Sequence, residues 1–177
     1  MLLHTCCAPC AIYSLNYWRE NGKIPRLYYF NPNIHPFMEY QRRLETLKEF
    51  ATNENVELIV SPEYPYLDFL RSALEVQDRC LSCYTTRLEA TAKQAVLLGE
   101  KEISTTLLIS PYQKHELLKE TGEKIAEKYG IVFLYADLRP GFRSSQTISK
   151  ERKYYRQPYC GCIFSEFERY SPSRKQI

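Results

Sequence analysis

Seven cysteines occur in three tight groups and nowhere else: Cys6, Cys7 and Cys10; Cys80 and Cys83; Cys160 and Cys162. Cysteines kept as small apolar core residues scatter along a chain. Spacings of one to three residues instead bring several sulfurs to one point, as a metal, a cluster or a redox pair requires. Cys80-Leu81-Ser82-Cys83 opens a predicted helix, where positions i and i+3 share a face and the exposed amides favour thiolate. Arg87 follows on that face one turn later. It is either a solvated helix residue or a cation that holds a substrate anion or balances a sulfur cluster.

Cys6-Cys7-Ala8-Pro9-Cys10 ends the first predicted strand and begins the first helix. Cys7 and Cys10 form a second Cys-x-x-Cys with Cys6 beside it, so spacing leaves open which two of the three are ligands. A thioredoxin-like dithiol fits poorly, because that motif follows a βα unit and there is no room for one here. A zinc ribbon also fits poorly: 69 residues separate Cys10 from Cys80, where about 15–20 are usual. Ligands drawn from distant segments suit an iron–sulfur centre. Cys160-Gly161-Cys162 is a further ligand pair, a strained and readily reduced disulfide suited to passing two electrons, or an unpaired turn. For proton transfer Asp137, His4 and Glu39 are available. His4 reads as a packed strand residue. Asp137 at a strand end is the better candidate, its alternative being a salt bridge to Arg139.

The elements that must position these groups alternate strand and helix. Leu2-Leu3 opens the chain, residues 11–20 form a helix ended by Asn21-Gly22, and Ile24 to Phe30 is a strand. Phe37, Tyr40, Leu44, Leu47 and Ala51 keep the 3,4 spacing of an amphipathic helix. Val56 to Val60 is a strand, 66–76 a short helix, and Leu81 to Ala95 mark a long one closed by Gly99. Ile103 to Ile109 is a strand stopped by Ser110-Pro111. Leu118 to Tyr129 form a helix closed by Gly130, and Ile131 to Tyr135 is the fifth strand. Gly141 to Lys150 reads as a loop, and Glu151 onward as a helix or irregular cap.

This pattern predicts a single α/β domain with a five-stranded, mainly parallel sheet flanked by helices. It comprises 1–140, carrying the metal site, and a C-terminal extension, 141–177, with the Cys-Gly-Cys pair packed on it. In such sheets ligands lie beyond the carboxyl ends of the strands. The first cysteine group, Asn31-Pro32-Asn33, Ser110-Pro111-Tyr112-Gln113 and Asp137-Leu138-Arg139 all follow strands and are expected to share one rim.

The 177 residues suffice for one core, and 44% hydrophobic with 25% charged residues is ordinary for a globular protein. No apolar run approaches the length of a membrane span, and no secretory signal is evident. Clustered thiols then imply a reducing, cytoplasmic setting. Residues 137–177 carry 9 basic and 4 acidic side chains. With Tyr154, Tyr155, Tyr159 and Tyr170 interleaved, this end is either a solvated basic tail or a phosphate-contacting RNA surface.

Five motifs in order carry a resemblance: His4-Thr5-Cys6-Cys7-Ala8-Pro9-Cys10; Tyr29-Phe30-Asn31-Pro32-Asn33-Ile34; Arg79-Cys80-Leu81-Ser82-Cys83-Tyr84 with Arg87-Leu88; Thr105 through Gln113; and Tyr155-Arg156-Gln157-Pro158-Tyr159-Cys160-Gly161-Cys162. Together they resemble the QueH-type epoxyqueuosine reductases. The resemblance implies reduction of the epoxide of epoxyqueuosine, at the wobble position of a tRNA anticodon loop, to an alkene. It implies a [4Fe-4S] cluster without cobalamin, and an electron donor that the sequence does not identify.

By position, Cys6, Cys7, Cys80 and Cys83 match the cluster ligands and Cys160 with Cys162 a redox-active disulfide. Cys10 stays as an alternative ligand, or the ligand of an additional mononuclear iron. Tyr112 joins Asp137 as a candidate proton donor, and Arg87, Asn31, Gln113, Arg139, Arg156 and Tyr159 are candidates for substrate binding. The implied fold is the adenine-nucleotide-hydrolase-like (HUP) group that includes PP-loop ATPases, but the phosphate loop Ser-Gly-Gly-x-Asp-Ser is absent. Two other classes remain open: an iron–sulfur PP-loop-like tRNA-thiolating enzyme, and a non-catalytic zinc or iron–sulfur RNA-binding module.

Overall fold

The computed structural model describes residues 1–172. Five parallel strands form one sheet in the order β3-β2-β1-β4-β5. They are β1 (Leu2–His4), β2 (Arg26–Tyr29), β3 (Leu58–Val60), β4 (Glu102–Thr105) and β5 (Val132–Phe133). The register sets Leu2 beside Arg26 and Ile103, and His4 beside Tyr28 and Thr105. Because side chains alternate across a strand, neighbouring residues feed two separate cores. Leu2, Tyr28, Phe30 and Ile103 pack on one face under α4 (Arg79–Leu97) and α5 (His115–Lys128). Leu3, Leu27 and Tyr29 pack on the other under α1 (Ala8–Glu20) and α2 (Phe37–Asn53). Burial on both faces explains the unbroken apolar runs of the sequence.

The glycines expected to close helices do so: Gly22, Gly99 and Gly130 have φ of 72°, 71° and 65°. That left-handed conformation costs glycine little and other residues more. The short helix predicted over 66–76 is α3 (Tyr66–Glu75).

Two expectations are corrected. The strand predicted to run to Ile109 ends at Thr105, and Thr106–Ile109 wind into a 3₁₀ turn. Thr105 Oγ1 accepts from the Leu107 amide at 3.2 Å, which offers the backbone a turn in place of the ladder. All four residues of the turn are buried, so their apolar run mimicked a strand.

The loop predicted over 141–150 is instead α6 (Phe142–Glu151). Its fully buried residues are Ser145 and Ser149, one turn apart, and only Phe142 and Ile148 add apolar packing, so no sustained apolar period marks it. Ser145 Oγ accepts from the Tyr13 amide at 3.1 Å, and a Cβ on Gly141 would come within 2.1 Å of the Tyr13 ring. Small residues therefore let α6 lie close along α1.

Beyond α6, Tyr154 is buried edge-on against Phe50 of α2. The chain then passes over α2, and α7 (Ile163–Tyr170) follows the last cysteine pair. Arg143, Lys150, Lys153 and Arg169 are exposed, whereas Arg152 is ion-paired with Glu54 at 2.6 Å. The rest of the predicted extension, residues 173–177 with Arg174 and Lys175, lies outside the described residues. Among the described residues no helix is long and apolar enough to cross a membrane.

Candidate metal centre

The order of strands reverses between β1 and β4, which are neighbours although about a hundred residues apart. A crevice opens at the carboxyl ends of strands at such a point. Cys6 leaves β1 there and is tied across the gap: its amide donates to Thr106 Oγ1 at 3.2 Å, and the Thr106 hydroxyl faces its sulfur at 3.5 Å. Pro9 enters the first turn of α1, where its missing N–H costs no hydrogen bond. That helix start turns Cys10 back toward the strand end.

The sulfurs of Cys6, Cys7 and Cys10 all lie within 4.8 Å of one another, with Cys6 and Cys7 at 3.8 Å. Cys10 and Cys7 both hydrogen-bond to the buried Cys6 sulfur and hold its thiol well below the ordinary range. One of the three sulfurs is thus predisposed to the thiolate form that a metal takes.

The second group stands on the first turn of α4. Asp78 caps that helix, accepting from the amides of Cys80 at 2.9 Å and Leu81 at 3.3 Å, and is itself held by Lys114 at 2.8 Å. One turn in, Arg87 is 1% exposed. Its Nη1 reaches Cys83 Sγ at 3.7 Å, Nη2 donates to Asn31 Oδ1 at 2.8 Å, and Nε meets His4 Nε2 at 3.3 Å. His4 is fully buried and its pKa falls to about 3 through burial and the Arg87 charge, so the imidazole is neutral. None of the three groups that Arg87 contacts is a carboxylate. A buried cation without one is costly, and a thiolate formed on Cys83, 3.7 Å away, would compensate it. Arg87 is thus a buried cation in contact with the second cysteine group and not a solvated helix residue.

Gln113 Nε2 donates to Cys160 Sγ at 3.4 Å, and its Oε1 accepts from the Tyr84 hydroxyl at 2.8 Å. Burial raises the Cys160, Cys83 and Cys80 thiols, Cys83 to about 12. Cys162 caps α7, its sulfur accepting from the Ser165 amide at 3.3 Å. Cys160 and Cys162 are both free thiols.

Of the other predicted residues, Asn31 is buried, grips Arg87 and donates to the Thr5 carbonyl at 2.9 Å. Tyr159 reaches the network through its carbonyl, and its ring lies edge-on to Tyr170. Arg156 binds the Gln146 amide oxygen of α6 at 2.6 Å. Tyr112 is 83% exposed and touches Phe142. Asp137 forms the salt bridge to Arg139 that was its sequence alternative. Arg139 grips its carboxylate at 2.6 and 2.7 Å and holds its pKa at about 2, and an ionised carboxylate has no proton to give. Glu39 is likewise engaged, in a buried pair with Arg43 at 2.8 Å.

Sequence reasoning missed Arg43. Its signal was a charged residue at 43, three after Tyr40 and four before Leu47 within the apolar stripe of α2. Thr106 was missed as well, hidden in an apolar run.

A family model described as epoxyqueuosine reductase QueH matches residues 1–168. The chain belongs to the QueH family. Curated proteins named epoxyqueuosine reductase QueH are similar to it across nearly its whole length. One from Dehalococcoides mccartyi is 43% identical, covering 96% of this chain and 94% of that protein. One from Thermotoga maritima is 33% identical over 96% and 91%. One from Helicobacter pylori is 35% identical over 100% of this chain and 55% of its own length. These QueH names are those of oxidoreductases, and they support neither the thiolating nor the non-catalytic class.

Thiols alone supply the donor set, three sulfurs are already within 4.8 Å, and a buried cation lies beside Cys83. Cys6, Cys7 and Cys10 are a thiol group that could hold a metal cluster; Cys80 and Cys83 are not among the sulfurs gathered within 4.8 Å.

Proposed function

We propose that the chain reduces the epoxide of epoxyqueuosine in tRNA to the alkene of queuosine, with a [4Fe-4S] cluster and without cobalamin. The observation that carries this is the thiol group of Cys6, Cys7 and Cys10 at the end of β1, with the buried Arg87 held at Cys83, in a chain of the QueH family. Cys6, Cys7, Cys80 and Cys83 would hold the cluster, and Cys10, in reach of both N-terminal sulfurs, would serve a further iron. When bound, such iron supplies single electrons and Lewis acidity.

The chain's own residues do the rest. Arg87 balances negative charge on the sulfurs, and Asn31 and neutral His4 hold its guanidinium in place. The reaction takes two electrons and two protons and releases water. Cys160 and Cys162 relay the electrons, losing two protons and two electrons as they close a disulfide that an external donor reopens. Tyr112, next to Gln113 in the chain, is the proposed proton donor to the leaving oxygen. The anticodon loop docks on the basic, tyrosine-bearing C-terminal region, where Arg143, Lys150, Lys153 and Arg169 are exposed, by phosphate contacts and stacking.

The test is mass spectrometry of tRNA carrying the epoxide after incubation with anaerobically purified, reduced protein whose iron and sulfide have been counted. Conversion with a mass loss of one oxygen is expected. An intact epoxide with iron-loaded, reduced protein overturns the proposal.

A further inference from the structure

Five residues ahead of and within the last cysteine pair are wrapped around a single side chain. Arg43 of α2 is 4% exposed. Its Nη1 donates to the Cys160 carbonyl at 2.9 Å and Nη2 to the Tyr159 carbonyl at 3.4 Å. Its Nε lies between Gln157 Oε1 at 2.5 Å and Glu39 Oε1 at 2.8 Å. The other oxygen of Glu39 accepts from the Tyr155 hydroxyl. Gly161 sits against the guanidinium so closely that a Cβ there would meet Nη2 at 2.7 Å, and its φ of 120° is open to glycine alone at low cost. The Gly161 carbonyl is held from the far side by the His35 amide at 2.9 Å. The fields of Cys7, Cys6 and Cys160 all act on the guanidinium. Arg43 of α2 thus holds the C-terminal turn by its backbone, while Arg87 of α4 contacts Cys83 from the opposite face of the sheet.

We infer that Arg43 is a positioning residue that sets how readily the Cys160–Cys162 pair gives up its electrons. This rests on the proposed relay role of that pair. The turn that Arg43 grips is the one in which both sulfurs are free thiols, so its hydrogen bonds stabilise the dithiol relative to the disulfide. The step is Cys160–SH plus Cys162–SH giving the S–S bond, two protons and two electrons. The electrons pass to the substrate epoxide, and an external dithiol reverses the step.

The experiment measures the dithiol–disulfide equilibrium of the full-length protein in buffers of set dithiol-to-disulfide ratio, by alkylation and mass spectrometry of the peptide containing Cys160 and Cys162. Single-turnover and multiple-turnover reduction of tRNA epoxide are followed in parallel. Arg43→Gln should move the equilibrium toward the disulfide by at least tenfold, which is about 30 mV for a two-electron couple. Arg43→Lys, keeping the charge without the fork, should move it less. Gly161→Ala, which pushes the guanidinium off the turn while leaving it charged, should move it in the same direction as Arg43→Gln and covers the case in which Arg43→Gln does not fold.

Multiple turnover should fall more than the first turnover in each variant. An equilibrium unchanged in the folded variants overturns the role of Arg43 and leaves the relay standing. A wild-type pair that never closes a disulfide removes the relay and this inference with it.

Discussion

Replacing Arg87 by Met removes a buried cation whose Nη1 lies 3.7 Å from Cys83 Sγ. At an effective dielectric of about 20, a unit charge on that sulfur is worth about 4 kcal/mol to the guanidinium. Metal binding makes thiolates of the ligand cysteines, so this attraction is fully expressed only in the loaded protein. In the metal-free protein the substitution leaves Asn31 Oδ1 and His4 Nε2 without their donor, a cost of about 1–3 kcal/mol each. Relief from burying an uncompensated cation offsets part of it. Arg87→Met should therefore shift urea unfolding of metal-free protein modestly while loosening iron on the order of a thousandfold. The assay is anaerobic iron release to a chelator, followed by loss of the visible chromophore, beside urea denaturation of stripped protein. Arg87→Lys should retain most of the iron affinity, because it keeps the charge and loses the fork. Iron retention in Arg87→Met within about tenfold of wild type would refute the charge-balance argument. So would equal losses in the Met and Lys variants.

Cys80→Ala or Cys83→Ala should abolish the brown chromophore and turnover together, read by optical spectra and tRNA mass spectrometry. Cys160→Ala should keep the chromophore but stop multiple turnover, read by optical spectra and by tRNA mass spectrometry. Asp137→Asn should leave the pH–rate profile unchanged between pH 5 and 9, since a carboxyl held at about 2 by Arg139 is ionised throughout that window and supplies no acid limb. Gly141→Ala should destabilise the protein by about 1–3 kcal/mol in urea titration, because its methyl meets the Tyr13 ring where α6 crosses α1.

The sheet was legible because parallel strands buried on both faces leave apolar runs punctuated by glycine caps, as at Gly22, Gly99 and Gly130. Where the sequence misled, a polar group had taken an apolar group's place or the reverse. Ser145 and Ser149 pack α6 on α1 by being small and leave no stripe to detect. Leu107, Leu108 and Ile109 fill the core from a 3₁₀ turn that an apolar run cannot distinguish from a strand. The cysteine groups announced themselves by spacing, but their meeting point depended on strand order, which periodicity does not encode. Parallel alternation puts residues 6–10 and 80–83 on one rim, and the reversal between β1 and β4 opens the crevice there.

The two arginines were harder to see for a physical reason. On a helix a single Arg normally snorkels its charge into water, so Arg43 went unread and Arg87 kept a solvated alternative beside its charge-balancing one. Burial of both is sustainable only because each is saturated by groups from other segments: Asn31, His4 and Cys83 around Arg87, and Glu39, Gln157 and two backbone carbonyls around Arg43. Such saturation draws on the strands, the rim loops and the C-terminal segment together, which no local pattern records. The same dependence gives the site its electrostatic character. Two fixed positive charges, one on each face of the sheet, flank sulfurs that become anionic when they bind metal or give up protons. The fold thus supplies counter-charge in place before the thiolates form, and the cysteines can converge without mutual repulsion expelling one of them.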